Sequence, residues 1–315
     1  MCCSAGTRAW GCWRRSASRR PGRWCCWRSG ARCRRSRRGG WWSRVGERLY
    51  LGLRGYGLIV AMWVRATLAY RTSFALMVLG SFVSTFLNFV AIMIMFTHTD
   101  VLGGFTVAEV ALLYGTSATS LGLADLLLGS LDRLGARVRD GTMDALLVRP
   151  VPVFAQVTAD RFALRRLGRI SQGVLVLIWA LTQVDVDWTW WKLVLLPVTV
   201  LSGLGIYGAI YTCGAAFQFW ANDASEVQNA FTYGGDTLLQ YPPTIFAKDL
   251  VWGATFIIPL AFVNWLPIGR ILGREDRLGL PGWVDFASPA VALIACTIAG
   301  FAWRAGLRGY RSTGS

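Results

Sequence analysis

Histidine occurs once in these 315 residues, at His98, lysine occurs twice, and only 16% of the chain is charged. A lone imidazole in a polar link fits a solvated surface role better than catalysis. The chain contains no GxxxxGK[ST], so it binds no nucleotide through a P-loop. HExxH, GxSxG and paired carboxylates within an apolar run are likewise missing, which leaves an integral-membrane hydrolase without support. No short period repeats, which excludes a solenoid. The two halves show no inverted symmetry, which weighs against secondary-transporter folds. No cofactor is expected.

What the sequence does have is apolar length. It is 54% hydrophobic with a mean hydropathy of +0.42, a balance common in polytopic membrane proteins and rare in soluble domains. The net charge of +16 is uneven. Residues 1–44 hold 13 Arg and no acidic residue, whereas from residue 45 onward 20 Lys and Arg face 17 Asp and Glu. The same first 44 residues carry six of the eight Cys and six of the 16 Trp, but no Ile, Leu or Phe. Such a segment can form neither a core nor the apolar region of a signal peptide. Three readings stand for it: a zinc module, which the distant His98 disfavours; a basic arm for anionic lipid or nucleic acid; and translated DNA upstream of the native start. The last is the expectation, with residues 1–44 disordered and dispensable, the start between Val45 and Met62, and no nucleic-acid partner. Cys213 and Cys296 sit in apolar runs and read as small buried hydrophobes.

From residue 45 the chain reads as one all-α membrane domain, 45–315. Gly46 to Arg71 mixes apolar and aromatic residues with four Arg, which suits an interfacial helix. Charge-free or nearly charge-free runs place spans at about 74–96, 107–129, 170–188, 193–220 and 286–303, each able to cross a ~30 Å hydrocarbon layer. Between the fourth and last of these, two versions stay open: a fifth span at 226–247, with the Pro-broken piece behind it dipping in and returning, or a fifth span at 251–269. The re-entrant outer hairpin is the favoured version. Both give six spans. The link 97–106 has no Lys or Arg, and the loop 130–169 has eight Arg. The positive-inside rule therefore puts that loop and both termini in the cytoplasm, and His98 outside.

The loop 130–169 carries the most specific pattern. Asp140-Gly141 makes a turn, Thr142 is placed to N-cap a short helix over Met143–Val148, and Pro150 stops it. Met143, Leu146 and Leu147 stripe this helix, either against the protein's own helix ends or as a knob for a soluble partner. Within the spans, Asp125 and Asp236 are the notable charges, as pathway lining or as interhelix bonds.

The pattern Arg139-x-Gly141-x-x-Asp144-x-x-Leu147-x-Arg149-Pro150 resembles the first cytoplasmic loop of permease subunits in bacterial type-2 ATP-binding-cassette exporters. The segments QYPPTIF with IIPLAFVNWLPIGRILG, and the closing WRAGLRGYRSTG, are similar to the same family; the resemblance covers roughly residues 48–315. It implies a non-catalytic permease in the bacterial cell membrane that pairs with a second permease. A separate P-loop ATPase would couple through Arg139, Gly141, Asp144, Leu147, Arg149 and Pro150. The alternative from the residues themselves is a stand-alone carrier or channel, which needs intramembrane ion-binding charges.

Overall fold

The computed structural model describes residues 41–310 except 161, 222–224 and 275–277. The extension expected over 1–44 lies outside the described residues, apart from its last four, which begin the first helix. Twelve α-helices make up the described chain: α1 (Trp41–Leu68), α2 (Arg71–Phe96), α3 (Val107–Leu128), α4 (Leu134–Arg139), α5 (Thr142–Leu147), α6 (Val153–Ala159), α7 (Leu167–Gln183), α8 (Trp190–Phe217), α9 (Ser225–Leu239), α10 (Lys248–Phe256), α11 (Trp265–Leu272) and α12 (Ser288–Gly309). No strand occurs among these residues. Among the described residues, four helical runs are long and apolar enough to cross a membrane: Arg71–Phe96, Val107–Arg139, Trp190–Phe217 and Ser288–Gly309.

At the centre lies α3. Thr106 opens it with a capping box, its backbone N–H donating to Glu109 Oε2 at 2.7 Å, which satisfies one of the orphan donors of the first turn. Against it, α7 runs antiparallel at very short range. A Cβ at Gly115 would lie 2.8 Å from the Leu177 backbone, one at Gly122 2.9 Å from the Ile170 side chain, and one at Gly173 2.9 Å from Thr119 Oγ1. These glycines are there for proximity, since without a hydrophobic drive between helices in lipid, association rests on close packing. On α3's other side α8 runs parallel to it, Gly203 meeting Ser120. In turn α12 runs parallel to α8, with Gly205 beside Ala292 and Gly306 beside Ala216. The helix α2 flanks α7, where Gly168 is pressed against the Val78 carbonyl.

Neither version of the fifth span is a single helix. α9 stops at Leu239, before Pro242 and Pro243, and 251–269 is split between α10 and α11 by a 3-10 turn over Leu260–Phe262 that follows Pro259. Pro cannot donate its nitrogen to a helix, so each prolyl position resets the path. The contacts still order these pieces along the bundle. α9 is antiparallel to α3: Gln228 meets Asp132, Tyr233 meets Asp125 and Asp236 meets Ser117. Thr244 then donates to the Gly103 carbonyl beyond the far end of α3. From there the chain turns back until Leu260 packs on Gly235 and Val263 on Gly203. It returns through Asn264, which donates to the Leu113 and Leu239 carbonyls, to Arg274, which pairs with Glu109 at 2.9 Å.

Several boundaries differ from the sequence reading by about three residues, and two by more. α7 ends at Gln183 rather than 188, and α12 runs on to Gly309, carrying Arg304 and Arg308 in its last turns. The segment expected to be interfacial forms the helix α1, which exposes Leu53, Leu58 and Met62 and meets Val151, just ahead of α6, at Gly55.

Candidate functional site

The loop 130–169 is compact. Gly141 has φ +65°, left-handed backbone that glycine enters without steric cost. This corrects the capping expected of Thr142: Gly141 is the N-cap and Thr142 the first helical residue, its hydroxyl donating back to the Arg137 carbonyl at 3.3 Å. The left-handed residue reverses the chain early, so α5 starts one residue sooner and ends at Leu147.

The stripe divides. Met143 and Leu146 are buried against the protein itself, so this part of the helix packs inward. Leu147 is 43% exposed and Val148 86%, and Arg149 and Pro150 are exposed beside them. Asp144, in the first turn, accepts a bond from the Tyr310 hydroxyl at 2.9 Å. Burial and this carboxylate raise the Tyr310 pKa above its ordinary value, which keeps the phenol a donor. Arg139 ends α4 and is exposed. Behind α5, Gln156 donates to the Leu146 and Val151 carbonyls at 3.0 and 2.7 Å, closing the turn that follows Pro150. Arg137 and Asp160 form an ion pair between α4 and the end of α6. Phe154 meets the edge of Trp303 on α12 at 5.1 Å. The loop is thus fastened to α1 on one side and to the end of α12 on the other.

A second polar constellation joins the loop to the long helices. Asp125 is buried on α3 and gathers three elements: Arg166 Nε at 3.0 Å, the Tyr211 hydroxyl at 3.2 Å and the Tyr233 hydroxyl at 3.3 Å. The same guanidinium donates to the Asp125 carbonyl at 2.6 Å. Just below, the Gly135 N–H donates to Gln218 Oε1 at 2.6 Å, Gln218 Nε2 to Gln228 Oε1 at 2.9 Å, and Gln228 Nε2 to Asp132. This relay ties the start of α4 to the ends of α8 and α9. Deeper still, Asp236 accepts from Ser117 Oγ at 2.6 Å and from Gln240 at 3.0 Å.

The six loop residues therefore lie together at one end of the bundle, while Asp125 and Asp236 lie at successively greater depth along α3 and α9. Sequence reasoning missed Arg166, Tyr211, Tyr233, Gln156, Gln218, Gln228 and Tyr310. Arg166 had counted only as one of eight topological arginines. For the tyrosines and glutamines no local pattern marks the role.

A family model described as ABC-2 family transporter protein matches residues 82–314. No curated protein and no solved structure matches the chain.

Proposed function

This chain belongs to the ABC-2 family of transporter proteins, a multi-pass membrane protein with a transport role, and we propose that it is the permease subunit of an exporter driven by a separate P-loop ATPase. One observation carries the coupling. α5 is held from behind by Met143, Leu146 and the Tyr310–Asp144 bond, yet Leu147 at its end and Val148, Arg149 and Pro150 directly after it are exposed. A short helix fixed on its inner face and apolar on its outer face transmits force from a docked subunit into the helices that hold it. Its anchors are α1, α12 and, through the Gln218–Gln228 relay, α8 and α9.

In this reading the loop 130–169 and both termini face the cytoplasm of a bacterial cell, and a second permease completes the pore. α9 serves as the fifth of six crossings, supported by its antiparallel pairing with α3 from Asp132 to Ser117. The piece from Lys248 to Leu272 serves as a re-entrant hairpin, supported by Leu260 and Val263 packing at the depth of Gly235 and Gly203. Asp125 and Asp236 act as interhelix bonds, since protein donors take up their oxygens. A stand-alone carrier would need such carboxylates for an ion.

Gentle detergent extraction from the cells that natively make the protein, followed by affinity capture of the permease, tests the coupling. Stoichiometric ATPase in the eluate is expected, with its capture lost in Leu147→Asp and Gly141→Val. Capture that yields no ATPase from wild type would sink the reading.

A further inference from the structure

Beside the loop, a cleft of about 450 Å³ opens between the last turn of α1, the start of α2 and the segment that leads into α7. Four arginines line it: Arg133, Arg137, Arg165 and Arg166. Two are committed, Arg137 to Asp160 and Arg166 to Asp125. Arg133 and Arg165 are exposed, and the lining also holds the carboxylate of Asp140. The balance left over is one positive charge, spread over two guanidinium forks that suit a tetrahedral oxyanion.

The rest of the lining mixes the hydroxyls of Thr67, Ser130 and Thr142 with apolar side chains. Met77, Phe162 and Leu164 face the same space, and Met77 belongs to α2, which also exposes Leu76, Leu79 and Val83 around its circumference. On the other side α1 exposes Leu58, Met62 and Leu68 up to the corner at Ala69–Tyr70. A small soluble anion makes no use of such walls. A molecule with a charged head and long hydrocarbon tails uses both, its head among the arginines and its tails along α2.

We infer that this cleft is a binding site for the phosphodiester headgroup of an anionic phospholipid, held by Arg133 and Arg165 with its acyl chains along α2. It anchors the corner between α1 and α2 against the loop. The site needs only the multi-pass placement of the chain, so it can fail while ATPase capture succeeds, and the reverse.

The test uses the full chain, delipidated in a neutral detergent without the ATPase. It is mixed in separate arms with phosphatidylglycerol, phosphatidylcholine and inorganic phosphate. Native mass spectrometry should find one tightly retained phosphatidylglycerol per chain, with phosphatidylcholine washing off. Millimolar inorganic phosphate should not displace the lipid. In a double variant, Arg133→Ala with Arg165→Ala, phosphatidylglycerol affinity should fall about thirtyfold, two cationic contacts of ordinary strength. The lipid-free unfolding temperature should stay unchanged. Arg133→Lys with Arg165→Lys should keep most of the retention. Equal retention of the two lipids, displacement by inorganic phosphate, or unchanged affinity in the double Ala variant would each overturn the inference.

Discussion

α2 and α3 are neighbouring runs of similar length, and they face opposite environments. An 18-residue window within Arg71–Phe96 has a mean hydropathy of 2.1 and is 11% buried; the corresponding window within Val107–Arg139 has 1.3 and is 83% buried. In a water-soluble protein the more apolar helix would lie at the centre. Here the central helix carries Thr116, Ser117, Thr119 and Ser120, all buried, and the peripheral one carries exposed Leu76, Leu79, Leu87 and Ile94. Lipid removes the penalty for exposing Leu, and it penalises any polar group left without a partner. Polar residues therefore move inward, where Asp125 and Asp236 meet donors from other helices. Stability along α3 is local and directional; along α2 it is diffuse.

The sharpest way to break that contrast is at Asp125. Asp125→Ala leaves the Arg166 guanidinium without its carboxylate and two tyrosine hydroxyls without an acceptor. Losing one member of a buried pair costs about 3–5 kcal/mol. The expected outcome is a large drop in the detergent unfolding temperature and in yield. Removing both charges, Asp125→Asn with Arg166→Met, should recover a good part of the loss. Equal losses in single and double variants would show that the pair is not the source of the stability.

The loop repeats the contrast on a smaller scale. Met143 is fully buried and Leu147 is nearly half exposed, although they lie four residues apart on one helix. Met143→Ala should destabilise by about 2–5 kcal/mol, the usual range for a truncated core side chain. Leu147→Ala should stay within about 0.5 kcal/mol. Thermal unfolding of the two variants side by side decides it, and equal shifts would mean that the outer face of α5 is packed as well.

Next comes the α3–α7 seam. Gly115→Leu places a side chain where the Leu177 backbone would be 2.8 Å from the new Cβ. Backbone yields less readily than a side chain tip, so the helices must separate. Overpacking of this kind costs about 1–3 kcal/mol. Gly80 on α2 has open space around its Cβ position, and Gly80→Leu should be tolerated in the same assay.

What could be seen in the sequence follows the same division. α2 and α12 lie on the outside of the bundle with their apolar residues exposed, and their charge-free runs located them to within a few residues at most ends. α3 was located as well, because its Ser and Thr residues are confined to 116–120 and apolar residues flank them on both sides. Between Asn222 and Gly273 the reading stalled between two spans, and neither is one continuous helix. Gln228, Tyr233 and Asp236 of α9 bond Asp132, Asp125 and Ser117, partners about a hundred residues away in the chain. Hydropathy scores a residue alone and cannot see that compensation. Asp125 and Asp236 stood out as charges in apolar runs, whereas Tyr211 and Tyr233 did not, since aromatic residues in a span are unremarkable until their hydroxyls are placed.

The smallest expected effect sharpens the comparison most finely. Leu79 and Leu87 on α2 are 57% and 59% exposed. If lipid tails cover them, truncation trades one set of methylene contacts for another that is nearly as good, because the tails are as apolar as leucine. Leu79→Ala with Leu87→Ala should therefore shift stability by less than about 0.5 kcal/mol per site and leave any permease–permease association unchanged. On α12, Leu293 and Ile298 are exposed to a similar degree, so Leu293→Ala with Ile298→Ala is the matched control. If one pair is silent while the other lowers both the unfolding temperature and the dimer fraction in cross-linking, the sensitive face is covered by protein in the assembly. A loss on α2 of more than about 1 kcal/mol would end the claim that this helix is held by lipid alone, and would move it from the diffuse class into the directional one to which α3 belongs.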